Sequence, residues 1–148
     1  MGKMKAYQFI VEGQPKGKGR PRFTTSGGYP RTYTPLETRR YEERIRECFF
    51  EQVKEPIEKD KIDTLQIIAF YQVPASESIK RKQLMIDGKL SPTVKPDLDN
   101  VIKVVLDALN GIAYNDDKQL LNIYASKFYG AKPMLMVQLS EIEEEKTE

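Results

Sequence analysis

No histidine occurs anywhere in the 148 residues. That absence removes imidazole general bases, imidazole metal ligands and Ser-His-Asp triads together. Carboxylates, lysines and arginines remain as the chemical equipment, so any metal is expected to be hard and held by oxygen. Cysteine is almost absent too: the lone Cys48 forms neither an internal disulfide nor a cysteine-rich zinc site. Beside Phe49 and Phe50 it reads as a small buried hydrophobe on a helix, not a nucleophile. Long apolar runs are missing, so no transmembrane span is expected. The opening residues 1–10 are charged and then alternate, without the apolar core or small-residue cleavage site of a secretory leader. Secretion is not expected.

What is present is one domain's worth of chain, with 31% charged and 39% hydrophobic residues, the balance of a globular protein. The net charge of +2 is unevenly spread. Glu141 to Glu148 carry five Glu and one Lys, so the other 140 residues hold +6. Between Gln14 and Arg46 there are nine Lys or Arg against three Glu, a bias that suits phosphate-rich partners and raises association rates with nucleic acid. We expect a folded domain over residues 1–140 and a solvated acidic tail over 141–148.

Periodicity predicts a strand at Ala6 to Val11, where Tyr7, Phe9 and Val11 share one side. A long basic loop rich in Gly and Pro follows, from Gly13 through Phe23 and Gly27-Gly28 to Pro30. Leu36, Tyr41, Ile45, Cys48, Phe49 and Val53 recur at helical spacing, predicting an amphipathic helix from Leu36 to about Val53. Leu65 to Val73 is β-rich and almost continuously apolar, a strand covered on at least one face. Ser76 to Ile86 reads as a short basic helix begun by a Ser cap. Leu98 to Asn110 is the clearest helix, with Leu98, Val101, Ile102, Val105, Leu106 and Leu109 on one stripe and Asn110-Gly111 as its stop. Leu120 to Phe128 and Met134 to Leu139 read as two strands of a hairpin. The order predicts an α+β fold: a single compact domain with a small mixed β-sheet packed against helices.

The chemistry is concentrated in Lys95-Pro96-Asp97-Leu98-Asp99-Asn100-Val101-Ile102-Lys103, then Asp107, then Tyr114-Asn115-Asp116-Asp117. Within a regular helix, residues two apart point about 200° away from each other, so Asp97 and Asp99 would diverge. With Asp97 outside the helix and Asp99 in its first turn, both carboxylates reach one ion. Lys103 follows Asp99 by four residues and shares its face. Clustered carboxylates suit Mg²⁺, which retains waters and promotes phosphodiester hydrolysis without histidine. The returning chain is expected to bring Asp116 and Asp117 back toward Asp97. Ordinary explanations stand beside this one. Aspartate near a helix start is favoured by capping and by the helix dipole. Asp99 and Lys103 match a surface pair worth about 0.3 kcal/mol, and Asp116-Asp117 matches a turn. A calcium loop is disfavoured by Val101 and Ile102 at its fifth and sixth positions.

At these residues the sequence resembles the RusA family of Holliday-junction resolvases, the crossover junction endodeoxyribonucleases. The likeness is carried by Lys95-Pro-Asp-Leu-Asp-Asn-Val-Ile-Lys103 and Asp107-Ala-Leu-Asn-Gly-Ile-Ala-Tyr-Asn-Asp-Asp117, with Pro15-Lys-Gly-Lys-Gly-Arg-Pro-Arg22 as a second block. The resemblance implies that Asp97, Asp99 and Asp117 bind the metal, Mg²⁺ or alternatively Mn²⁺, and that Lys103 is the essential lysine of the catalytic set. Asp116 stays open as a further ligand, a partner of the ligands or a turn residue. The resemblance also implies a homodimer that nicks opposing strands of a four-way junction symmetrically, in recombination and repair. It implies a setting in the cytoplasm, at the nucleoid, of bacterial or phage origin. Lys16, Lys18, Arg20, Arg22 and Lys95 are then the expected DNA-binding cations, with Phe23, Tyr29 and Tyr33 either stacking on exposed bases or pinning the loop to the core. A nuclease for flaps or forks, and a branched-DNA-binding protein that does not cut, are the rival readings.

Overall fold

The computed structural model describes residues 5–142. The last six residues of the expected acidic tail lie outside that range. Six strands and three helices run in the order β1 (Lys5–Glu12), β2 (Arg22–Thr24), β3 (Arg31–Tyr33), α1 (Leu36–Gln52), β4 (Thr64–Gln72), α2 (Ile79–Ile86), α3 (Leu98–Leu109), β5 (Asn122–Gly130) and β6 (Met134–Glu141). The main sheet has the order β1-β6-β4-β5, with β4 and β5 parallel and the other neighbours antiparallel. This is the α+β fold with a mixed sheet that the sequence predicts.

Alternation explains which face is covered. Tyr7, Phe9 and Val11 of β1, Leu65, Ile67, Ala69 and Tyr71 of β4, and Leu135, Val137 and Leu139 of β6 are all buried. Matched registers, Phe9 and Ile67 both opposite Val137, put them on one face. Tyr41, Ile45, Cys48 and Phe49 of α1 and Val101, Val104, Val105, Ala108 and Leu109 of α3 join them in one core. Cys48 is buried there, and burial pushes its thiol up.

Several local expectations shift. The buried stripe of α3 is turned so that Leu98, Ile102 and Leu106 are only half-buried while Val104 and Ala108 are covered. The cap of α2 is Ser78, whose Oγ accepts from the Arg81 N–H at 3.2 Å; Ser76 lies outside the helix. The basic loop contains the β2–β3 hairpin, turned by Gly27 and Gly28 at φ of 87° and 86°, a conformation that glycine adopts without strain. The predicted β5–β6 hairpin does not form, because β4 lies between those strands and pairs with both. Residues 131–133 bridge two strand spacings, about 10 Å, a reach within four extended Cα steps. β6 thereby gains a partner on each side.

Candidate functional site

The peptide leading into α3 is fixed from the core. The buried Tyr71 hydroxyl of β4 donates to the Pro96 carbonyl, which sets the chain direction just before Asp97. Asp97 is the N-cap residue, extended at φ −66° and ψ 151°, and its carbonyl accepts from the Asn100 and Val101 N–H groups. Its carboxylate makes no capping bond. Capping therefore does not account for this side chain. Asp99 sits in the first turn, and both acids are exposed. Among the described residues neither accepts a side-chain hydrogen bond or forms an ion pair. Burial, and then the negative charge of Asp97, push the Tyr71 hydroxyl up. Lys103 is exposed one turn beyond Asp99.

The basic segment lies against this helix start. Gly17 is pressed on α3 so closely that a Cβ would come 2.8 Å from Asn100 Cβ and 2.9 Å from Pro96 Cβ. The next residue, Lys18, donates its backbone N–H to the Asn100 carbonyl at 2.8 Å. Gly19 N–H donates to Thr38 Oγ1 in the first turn of α1 at 3.0 Å. Residues 17–19 form a strap across the first turns of two helices. The Lys18 ammonium continues inward and pairs with Glu42 at 3.2 Å and Asp107 at 3.0 Å. Burial opposes its charge, but the hydrogen bonds to Asp107 and Glu42 prevail and hold it above the ordinary lysine value. Lys18 is thus committed to two acids, while Lys16, Arg20, Arg22 and Lys95 are exposed.

Strap and helix start enclose an open cavity of about 790 Å³ lined by Lys16, Arg20, Arg22 and Lys95 together with Asp97 and Asn100. Two sequence blocks roughly eighty residues apart meet in it. A Gly17→Ala protein is expected to lift the strap, lowering both the melting temperature and the affinity for a polyanion. Unchanged values in thermal melts and DNA titrations would show that the close approach is dispensable.

Asp116 and Asp117 lie elsewhere. Asp116 caps the short 3₁₀ turn Asp117–Gln119: its carboxylate accepts from the Lys118 N–H at 3.0 Å, and Gln119 Oε1 accepts from the Asp116 N–H at 3.2 Å. The Lys118 N–H, and then a hydrogen bond with Asp117, hold the Asp116 carboxyl below its usual range. That same bond with Asp116, with burial and the charges of Asp116 and Asp107 behind it, pushes the Asp117 carboxyl up. The Asp117 N–H donates to Asn110 Oδ1 at 3.2 Å, at the far end of α3. Within this chain Asp97 and Asp99 stand at one end of the helix and Asp117 at the other. Among the described residues no group of three or more acids is placed to hold a metal ion. By donor chemistry, the uncommitted Asp97 and Asp99 carboxylates fit a hard divalent cation that keeps most of its waters.

The sequence profile of the family described as Endodeoxyribonuclease RusA matches residues 12–140. The chain belongs to the RusA endodeoxyribonuclease family. It is also similar to a Bacillus subtilis (strain 168) protein named "Uncharacterized protein YqaN", 31% identical over 141 residues, which are 94% of this chain and 99% of that protein. The RusA match takes in both the strap and the α3 block. Sequence reasoning missed the acids that receive Lys18. Glu42 carried a usable signal: it follows Thr38 by four residues and precedes Ile45 by three, on the buried face of α1, where an acid needs a partner.

Proposed function

We propose that this RusA-family chain is a divalent-cation-dependent nuclease that resolves four-way DNA junctions by paired symmetric nicks, as a homodimer, in recombination and repair. The observation that supports it is the shared cavity, which the exposed Lys16, Arg20, Arg22 and Lys95 line together with Asp97, whose carboxylate makes no capping bond; Asp99 follows in the first turn of α3. Those two acids would hold Mg²⁺ or Mn²⁺; Asp117, the third acid of the family's pattern, stands at the far end of α3 within this chain. A bound divalent cation supplies Lewis acidity toward the phosphate and a more acidic water. The protein's own groups do the positioning. Lys16, Arg20, Arg22 and Lys95 neutralise phosphates on either side of the scissile bond, and the Lys103 ammonium opposes charge building on the reacting phosphate. In this reading residues 1–140 form the nuclease domain and residues 141–148 its acidic tail. No helix among the described residues is long and apolar enough to cross a membrane, and a DNA substrate places the protein at the nucleoid of a bacterial or phage-infected cell.

The test is cleavage of a labelled, mobile four-way junction with Mg²⁺ and with EDTA, beside forked and linear duplex DNA. Paired symmetric nicks in Mg²⁺ alone are expected. Cutting that persists in EDTA refutes metal dependence, preferential cutting of forks moves the substrate to other branched DNA, and tight binding without cutting leaves a structure-selective binding protein.

A further inference from the structure

Residues 13–36 hold five cations, Lys16, Lys18, Arg20, Arg22 and Arg31, and no acid. The β2–β3 hairpin rises from this segment and makes no extended contact with any other described helix or strand. Phe23, Tyr29 and Tyr33 are 65%, 78% and 47% exposed, so the rings do not pin the loop to the core. Register sets Tyr33 opposite Arg22, with Arg31 two residues before it, so these three share one face of the ribbon and Phe23 takes the other. Tyr29 stands at the tip, next to Gly28. Arg22 also lines the basic cavity, so the hairpin begins at its rim.

A ribbon of two short strands has no core of its own, and apolar surface gathered on it marks something that covers it. Cations interleaved with rings fit a polyanion that also offers flat aromatic faces, which is nucleic acid with unstacked bases. A continuous duplex hides those faces between neighbouring base pairs, and a branch point interrupts the stack. We propose that the β2–β3 hairpin recognises branching. Tyr29 and Tyr33, with Phe23 on the reverse face, stack on bases opened at the branch point, and Arg22 and Arg31 hold the adjoining phosphates. This rests on the DNA-cleaving reading above and adds to it the source of structure selectivity.

The experiment compares the full-length parent with the Phe23→Ser/Tyr29→Ser/Tyr33→Ser protein. It measures binding to a four-way junction and to linear duplex of the same sequence, with 2-aminopurine at the exchange point as a stacking probe. All three rings are exposed, so far-UV dichroism and melting should match the parent. The triple variant is expected to lose about tenfold or more in junction affinity, to keep its duplex affinity, and to lose the change in probe fluorescence seen with the parent. Arg22→Gln/Arg31→Gln is expected to weaken both substrates and flatten the salt dependence while keeping the junction preference. A parent that prefers junctions and a triple variant that keeps the preference overturn the hairpin's role alone. Equal losses on both substrates overturn it too. A parent with no preference for branched DNA overturns the functional reading beneath it.

Discussion

An Asp97→Asn protein is expected to cut a four-way junction about a thousandfold more slowly than the parent, or not at all, and to bind it as tightly. The substitution keeps the shape of the side chain and removes one anionic oxygen donor. Its fold should survive for a specific reason: the Asp97 carboxylate makes no capping bond, and asparagine is as good an N-cap residue as aspartate. Loss of a negative charge beside Lys16, Arg20 and Lys95 does not weaken phosphate binding. Gel-based cleavage and binding of one labelled junction separate the two effects, and parental cutting by Asp97→Asn removes Asp97 from the chemistry. Asp117→Asn belongs in the same experiment. An equal loss of rate would place Asp117 in the reaction despite its position beside Asn110 and the charge of Asp107. A change confined to thermal stability would make it a turn residue.

Lys18→Met is expected to destabilise the fold by about 2 kcal/mol, because it leaves Glu42 nearly buried without its cation. The figure is below that of a fully buried pair because the Asp107 side chain is half-exposed. For a chain of this size it corresponds to a melting temperature lower by about 5 °C. Lys18→Met/Glu42→Gln should recover most of the loss, since the uncompensated charge goes with the second change. The Lys18 pKa is raised in the folded protein, so its contribution is fully present below the unfolded lysine value of about 10.4 and fades as pH rises through the folded one. The gap between parent and variant should be flat from roughly pH 6 to 9 and narrow above roughly 10.5. A lysine that gripped DNA phosphate would behave differently. Its removal would lower the salt slope of binding by about one and leave the melting temperature unchanged.

The parts of this architecture that were legible in the sequence are those written in local patterns. The range of α3, the placement of Asp97 just outside it and Asp99 just within, and the alternation of β1 follow from neighbours a few residues apart. The rest depends on distant partners. Nothing near Lys18 announces that its ammonium will meet Glu42 and Asp107, 24 and 89 positions away in the chain. The link after β5 has the composition of a hairpin turn, yet the strand that separates β5 from β6 was laid down about sixty residues earlier. Asp116 and Asp117 looked able to return to the start of α3. The capping box and the Asn110 contact hold them at its end.

The sheet order has a consequence for how the protein is made. Among the described residues β1 pairs only with β6, and β6 occupies the interior position between β1 and β4. A ribosome delivers β1 first and β6 last, with an interval on the order of ten seconds at ordinary translation speed. Throughout that interval Tyr7, Phe9 and Val11 have no neighbouring strand to align them, and β4 and β5 present an unpaired edge. Completion of the sheet therefore waits for β6. A message truncated before Met134 would yield a polypeptide that carries the whole aspartate block and lacks the strand that joins its two halves.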